Sequence, residues 1–200
     1  MKKQGAEILF WGSCWGLMEA TLGYLLHALA ISLPGLPGFI LFPVAVWIMR
    51  QAIDSTGRKD IVLQMSAIAA GLKLMDFMVM GNDPIRIINP ALSILMEGAA
   101  VSIVVSLSSK MSLDKTFLMG FLWRGVFLAY MVLISFFGIP AGLVTSGWEV
   151  AGRFWILESA VNALIISGLS RVTLNRLRLK PQWTLAISVS ALAILAQWVI

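Results

Sequence analysis

The 200-residue chain is 59% hydrophobic and 12% charged, with a mean hydropathy of +0.89. Soluble domains carry about 25% charged residues, so this composition excludes a soluble enzyme. The net charge of +5 does not point to nucleic acid, because the basic residues fall in short connections between apolar runs, where they report topology and contact with anionic lipid.

Seven apolar segments follow one another, each near the roughly 20 residues that a bilayer core demands. The first, about 6–31, follows Lys2 and Lys3. Glu7, Glu19 and His27 interrupt the apolar core that a cleaved signal peptide needs, despite the small-x-small Ala28-Leu29-Ala30, so the segment reads as a retained helix. Gly12, Gly16, Glu19, Gly23 and His27 recur at steps of three or four and share one stripe. Its glycines permit close helix approach. Cys14, the single cysteine, lies in this run and reads as a small buried apolar residue. The second segment, 36–53, follows the turn-rich Leu33-Pro34-Gly35-Leu36-Pro37-Gly38.

In the third segment, 61–81, Ser66, Ala69, Lys73, Asp76 and Met80 share a face, and Lys73 and Asp76 are spaced to pair. In the fourth, 88–108, Arg86, Asn89, Ser93, Glu97 and Ala100 line up, with Asn89-Pro90 read as the helix start. The fifth, 113–137, aligns Gly120, Arg124, Met131 and Ser135. The sixth, 149–171, places Glu149 and Arg153 one turn apart at its outer end, with Glu158 and Asn162 on a different face. The seventh, 182–200, carries no charged residue.

The expected fold is an all-α integral membrane bundle of six to seven transmembrane helices in one domain, with a cytoplasmic N-terminus. With that end inside, the inner side holds eleven basic residues: Lys2, Lys3, Arg50, Arg58, Lys59, Lys110, Lys115, Arg171, Arg176, Arg178 and Lys180. The outer loops hold only Arg86, so the positive-inside rule sets the orientation. The outer connections, which include Gly81-Asn82-Asp83-Pro84 and Gly138-Ile139-Pro140-Ala141-Gly142, are rich in Gly and Pro. They are either plain turns or covers over a pocket that opens outward. Trp11, Trp47, Trp148 and Trp183 are expected at the interfaces, and Trp15, Trp123 and Trp155 deeper, as packing.

Glu19, Lys73, Asp76, Glu97, Arg124 and Glu158 fall within spans, while His27, Glu149 and Arg153 fall near outer ends. An ionisable residue at the centre of a span costs about 2.5–3.5 kcal/mol on the insertion scale. Such residues face the bundle interior and mark a pathway or site. Lys73, Arg124 and Arg153 oppose Glu19, Asp76, Glu97, Glu149 and Glu158, an excess of two acids (three against five) that suits a cationic or zwitterionic ligand, protonation, or a charged His27. The lone His27 makes a poor metal site, and no metal or cofactor is expected. No nucleotide-binding loop, nucleophile elbow or His-Glu-x-x-His occurs, so an enzyme is not expected.

A small basic helical chain with Gly12-x-x-x-Gly16-x-x-x-Ala20 on its first helix and outer Gly/Pro loops resembles the substrate-binding S component of energy-coupling factor transporters for vitamins and micronutrients. The resemblance implies an uptake subunit in the cell membrane, with an ATPase pair and a transmembrane coupling subunit as partners. Gly12, Gly16 and Ala20 would contact the coupling subunit. The stretch from Lys73 to Glu97 would lie where that family places pocket residues. The seventh segment departs from the family's usual six. The expected site that lines or gates a small-molecule ligand is Glu19, His27, Lys73, Asp76, Arg86, Asn89, Glu97, Glu149 and Arg153. Two other readings stand beside it: a stand-alone proton- or ion-coupled carrier or channel, and a membrane assembly protein whose charges pair structurally.

Overall fold

In a computed structural model of the chain, the described residues (2–29, 35–78, 83–108, 111–170 and 182–199) form helices and turns, with no strand among them. Helix α1 (Lys2–Met18) runs through a π-turn, Glu19–Gly23, into α2 (Tyr24–Leu29). Helix α3 (Leu36–Thr56) leads to α4 (Ile61–Leu74), which ends in a 3-10 turn, Met75–Met78. Helices α5 (Pro84–Leu107) and α6 (Leu113–Phe136) follow. Short α7 (Gly142–Thr145) precedes α8 (Trp148–Gly152), a second π-turn, Arg153–Leu157, and α9 (Glu158–Leu169). Helix α10 (Trp183–Val199) is last.

Local chemistry fixes several ends. Gly35 and Gly57 flank α3 with φ of 91° and 70°, the left-handed region that glycine enters without strain. Asp83 caps α5, its carboxylate accepting from the Ile85 N–H at 3.0 Å, and Pro84 takes the first helical position. The helix therefore starts before Asn89-Pro90, and Pro90 lies inside it, which corrects the expected start. Between α3 and α4, Arg58 donates to Asp60, and this bond holds the Asp60 carboxyl below the usual aspartate range.

Among the described residues, five helical stretches are long and apolar enough to cross a membrane: Leu36–Thr56, Ile61–Met78, Pro84–Leu107, Leu113–Phe136 and Trp148–Leu169. The protein is thus a multi-pass helical membrane bundle, and the expected six to seven spans reduce to five on these criteria. The α1–α2 stretch is diluted by Glu7, Glu19 and its Gly, Ser and Trp residues. Helix α10, at 17 residues, sits at the short end of what a bilayer requires.

The packing order is a ring: α1 on α4, α4 on α5, α5 on α6, α6 on α9, α9 on α3, and α3 back on α1. Helix α10 lies against α1. Gly12 and Gly16 make the α1–α4 approach possible. A Cβ on Gly12 would sit 2.6 Å from Ile68 and 2.9 Å from the Met65 carbonyl, and one on Gly16 would sit 2.6 Å from Leu72. On the other side of α1, Gly5 receives the Trp183 ring, and Ser13 bonds Ser190 at 2.7 Å. Large apolar side chains such as Leu63, Ile103, Val126, Leu133 and Leu164 point outward, while Glu19, Glu97, Arg124, Glu158 and Asn162 are buried. That inside-out polarity suits a lipid surround.

Candidate functional site

The buried charges gather on the inner faces of four ring segments. Arg124, on α6, is fully buried. Its guanidinium carbon lies 4.6 Å from the Trp123 ring centroid, 5.4 Å from Phe154 and 5.6 Å from Phe42, so aromatic faces on α6, α3 and the second π-turn surround it. Gly120, one turn earlier, leaves the room: a Cβ there would stand 3.2 Å from an Arg124 terminal nitrogen and 3.3 Å from Ser159.

Glu158 begins α9 beside this arginine. One of its oxygens is 3.7 Å from Arg124 Nε, and the other is 3.7 Å from Arg153 Nε. Both separations are long for a hydrogen bond. Among the described residues, Nε and both terminal nitrogens of Arg124, Glu158 Oε2 and both amide atoms of Asn162 make no hydrogen bond. Asn162 lies one turn along α9 from Glu158 and is fully buried.

On α5, the neighbour of α6, Glu97 is 3% exposed. Its Oε1 accepts from Ser93 at 3.1 Å, while its Oε2 has no hydrogen-bond partner among the described residues. It is close enough to Glu19 and Arg124 for their charges to interact. Glu19 opens the first π-turn and accepts from the Trp15 indole at 3.2 Å. Lys73 lies within electrostatic reach of Glu19 and pairs with Asp76 at 2.7 Å, as their spacing predicts.

Both π-turns adjoin a buried carboxylate: Glu19 begins one, and Glu158 follows the other. A π-turn inserts an extra residue into the helical repeat and re-aims the side chains that follow. The N-terminal end of α3 closes over the same place. A Cβ on Gly35 would be 3.2 Å from Phe154 and 3.3 Å from Glu158, and one on Gly38 would be 3.1 Å from Trp123. The Gly-Leu-Pro-Gly of 35–38 therefore rests on the arginine's aromatic surround and on its carboxylate neighbour. A cavity of about 10 Å³ opens two turns further along α9, beside Arg50, Ile166 and Ser170, away from these charges.

The expected site residues divide. Glu19 and Glu97 lie in the buried interior, and Lys73 and Asp76, half-buried, border it. Asn89 accepts a hydrogen bond from Tyr130 at 2.9 Å, tying α5 to α6. Arg86 and Glu149 are exposed. Arg153 is exposed as well, yet it reaches Glu158. The His27 side chain lies outside the described residues. Arg124, Glu158 and Asn162, which the sequence shows as intramembrane polar residues, belong at the centre of the set. Their signal is that α6 carries a single mid-span charge, Arg124, and α9 an acid one turn before an amide. Gly12 and Gly16 face α4 of the same chain, and Ala20 is buried, so the small-residue stripe already has an internal partner. Trp11 is core rather than interfacial, while Trp148 and Trp183 are exposed. Trp15 and Trp123 pack inside, while Trp155 is only partly buried and donates to the Phe121 carbonyl at 3.0 Å.

Comparison with protein-family models, with curated proteins and with solved structures finds no match to the chain.

Proposed function

We propose that this is a membrane-embedded substrate-binding subunit for uptake of a small polar molecule across the cell membrane. Its site centres on Arg124, Glu97, Glu158 and Asn162. The observation that carries this reading is the fully buried Arg124, whose three guanidinium nitrogens make no hydrogen bond among the described residues. A buried guanidinium without hydrogen bonds is costly. Helices that hold one in place, with a carboxylate and an amide equally short of partners, form a ready receptor for a polar solute. The Gly35–Gly38 cover supports access from the outer face.

The micronutrient class, the coupling subunit and the ATPase pair remain part of the proposal. They rest on the resemblance in layout. The coupling subunit would dock on a surface other than Gly12 and Gly16, which α4 occupies.

The test is purification from native membranes, with mass spectrometry of bound small molecules and uptake assays in cells. The reading expects a bound solute, and at least tenfold weaker uptake in Arg124→Gln and Glu97→Gln. It is overturned if nothing co-purifies and both variants take up solute normally.

A specific observation favours a second reading, a proton- or ion-coupled carrier that works alone. Glu19 and Glu97 are two buried acids close enough to interact. Reconstitution of the chain alone in vesicles separates the readings: gradient-driven transport without partners supports the carrier.

A further inference from the structure

We infer that the cleft between the C-terminal halves of α3 and α9 binds one anionic phospholipid of the inner leaflet, its phosphate at Arg50 and its first acyl carbons against Trp47 and Leu169. This site is separate from the proposed solute site and does not depend on it. The cleft is the cavity of about 10 Å³ lined by Trp47 and Arg50 of α3, Ile166, Leu169 and Ser170 at the end of α9, and Met111 between α5 and α6. That volume takes about one oxygen-sized atom. It suits a single phosphate oxygen and is too small for a whole solute.

Charge favours an anion. Three chain segments meet at the cleft, and each brings a cation to it or next to it in sequence. Arg50 lines it, Lys110 precedes Met111, and Arg171 follows Ser170. Residues 170–182, between α9 and α10, carry Arg171, Arg176, Arg178 and Lys180 and no acid. Such a cluster beside a span attracts anionic lipid. Asp54 accepts from Arg50 at 2.9 Å, but the two are one turn apart and each about one-third exposed. Exposed pairs of this kind contribute little, so a phosphate can share or displace Asp54 on the guanidinium. Depth favours a lipid over a soluble phosphate. Arg50 lies six residues before Thr56, about 9 Å inside the end of α3 at 1.5 Å per residue. That is the level of headgroup and glycerol rather than of bulk water. Trp47, one turn deeper, is of the type that anchors at this level. Ile165, exposed one turn from Leu169, continues the apolar wall toward the bilayer centre.

The test is native mass spectrometry of the full-length protein released from bilayers of equal parts phosphatidylcholine and phosphatidylglycerol. One phosphatidylglycerol is expected to stay bound in preference to phosphatidylcholine. Arg50→Gln is expected to weaken that preference about fivefold, the worth of one cation at a membrane surface. Ser170→Phe fills the cleft, leaves every charge in place and is expected to weaken it as much. Lys59→Gln removes an exposed cation of the same side that does not line the cleft, and is expected to leave it unchanged. Should a variant fail to fold, the unaltered protein supplies a second readout. Its Tm is expected to rise in phosphatidylglycerol over phosphatidylcholine, and not with inorganic phosphate.

The inference is overturned if phosphatidylglycerol is not retained over phosphatidylcholine, or if Ser170→Phe keeps full retention. It is overturned in favour of a diffuse basic surface if Lys59→Gln weakens retention as much as Arg50→Gln. Inorganic phosphate that displaces the lipid and raises Tm in phosphatidylcholine overturns it in favour of a soluble anion. None of these outcomes touches the solute-binding reading, whose failure is read from Arg124→Gln and Glu97→Gln.

Discussion

At the scale of the residue, Arg124 carries the most consequence. Removing one member of a buried charge pair strands the other, at about 3–5 kcal/mol. Arg124→Met should therefore lower stability by about 3 kcal/mol, because among the described residues Glu158 then keeps only the exposed Arg153 as a close cation. The double variant Arg124→Met/Glu158→Met should recover most of that loss, since apolar replacement of a buried pair is near neutral. Solute binding should remain absent in both. Thermal unfolding in detergent beside a binding assay checks the pattern, and a double variant no more stable than the single would contradict it. The sequence shows Arg124 and Glu158 as intramembrane charges but does not join them, because the α6–α9 contact brings together residues 34 positions apart and no periodicity within one helix encodes it. The Lys73–Asp76 pair was legible because three-residue spacing on one helix is enough.

At the scale of the element, two glycines on neighbouring helices give opposite expectations. Gly12→Ala places a methyl 2.6 Å from Ile68 and should cost about 1–3 kcal/mol as α1 and α4 part. Gly71→Ala, on α4 with nothing within 4 Å, should be neutral or stabilise by up to about 1 kcal/mol. Comparing their melting temperatures decides the point, and equal effects would contradict the α1–α4 contact. The π-turns give a second test. Deleting Leu22 removes the extra residue of Glu19–Gly23, so α2 keeps its face while Glu19 loses its placement. The protein should fold and lose solute affinity. Neither π-turn was legible, because a one-residue insertion leaves the three-to-four spacing of Gly12, Gly16, Glu19 and Gly23 intact. The helix start at Pro84 was missed for another reason. Proline fits a first turn, so Asn89-Pro90 drew the boundary, but the Asp83 cap and Pro84 set it earlier.

At the scale of the whole molecule, the ring accounts for how the chain distributes its polarity. Six of its packing contacts close on themselves without α10, which lies on α1. Truncation before Trp183 should leave solute binding within about threefold, lowering Tm through loss of the Gly5–Trp183 and Ser13–Ser190 contacts. Size-exclusion chromatography with the binding assay reads both, and lost binding in a monodisperse truncated protein would place α10 in the site. The helical membrane class was legible in full, because apolar run length and charge scarcity are properties of the chain itself. The closing order of the ring was not, since it depends on which faces meet. The helix count fell between these: Glu7, Glu19 and the Gly, Ser and Trp residues dilute the first segment below the apolar content of the five clear spans.

The central claim is that the buried Arg124–Glu158–Asn162 interior admits solute from the outer face beneath Gly35–Gly38. Its most direct measurement is cysteine accessibility at Ser159→Cys, fully buried on α9 beside Gly120, in a Cys14→Ser background, using a small membrane-impermeant thiol reagent added outside. The account predicts labelling from outside, slowed at least several-fold by the bound solute. A cysteine inert from the outside, or labelled at a rate the solute leaves unchanged, would contradict it.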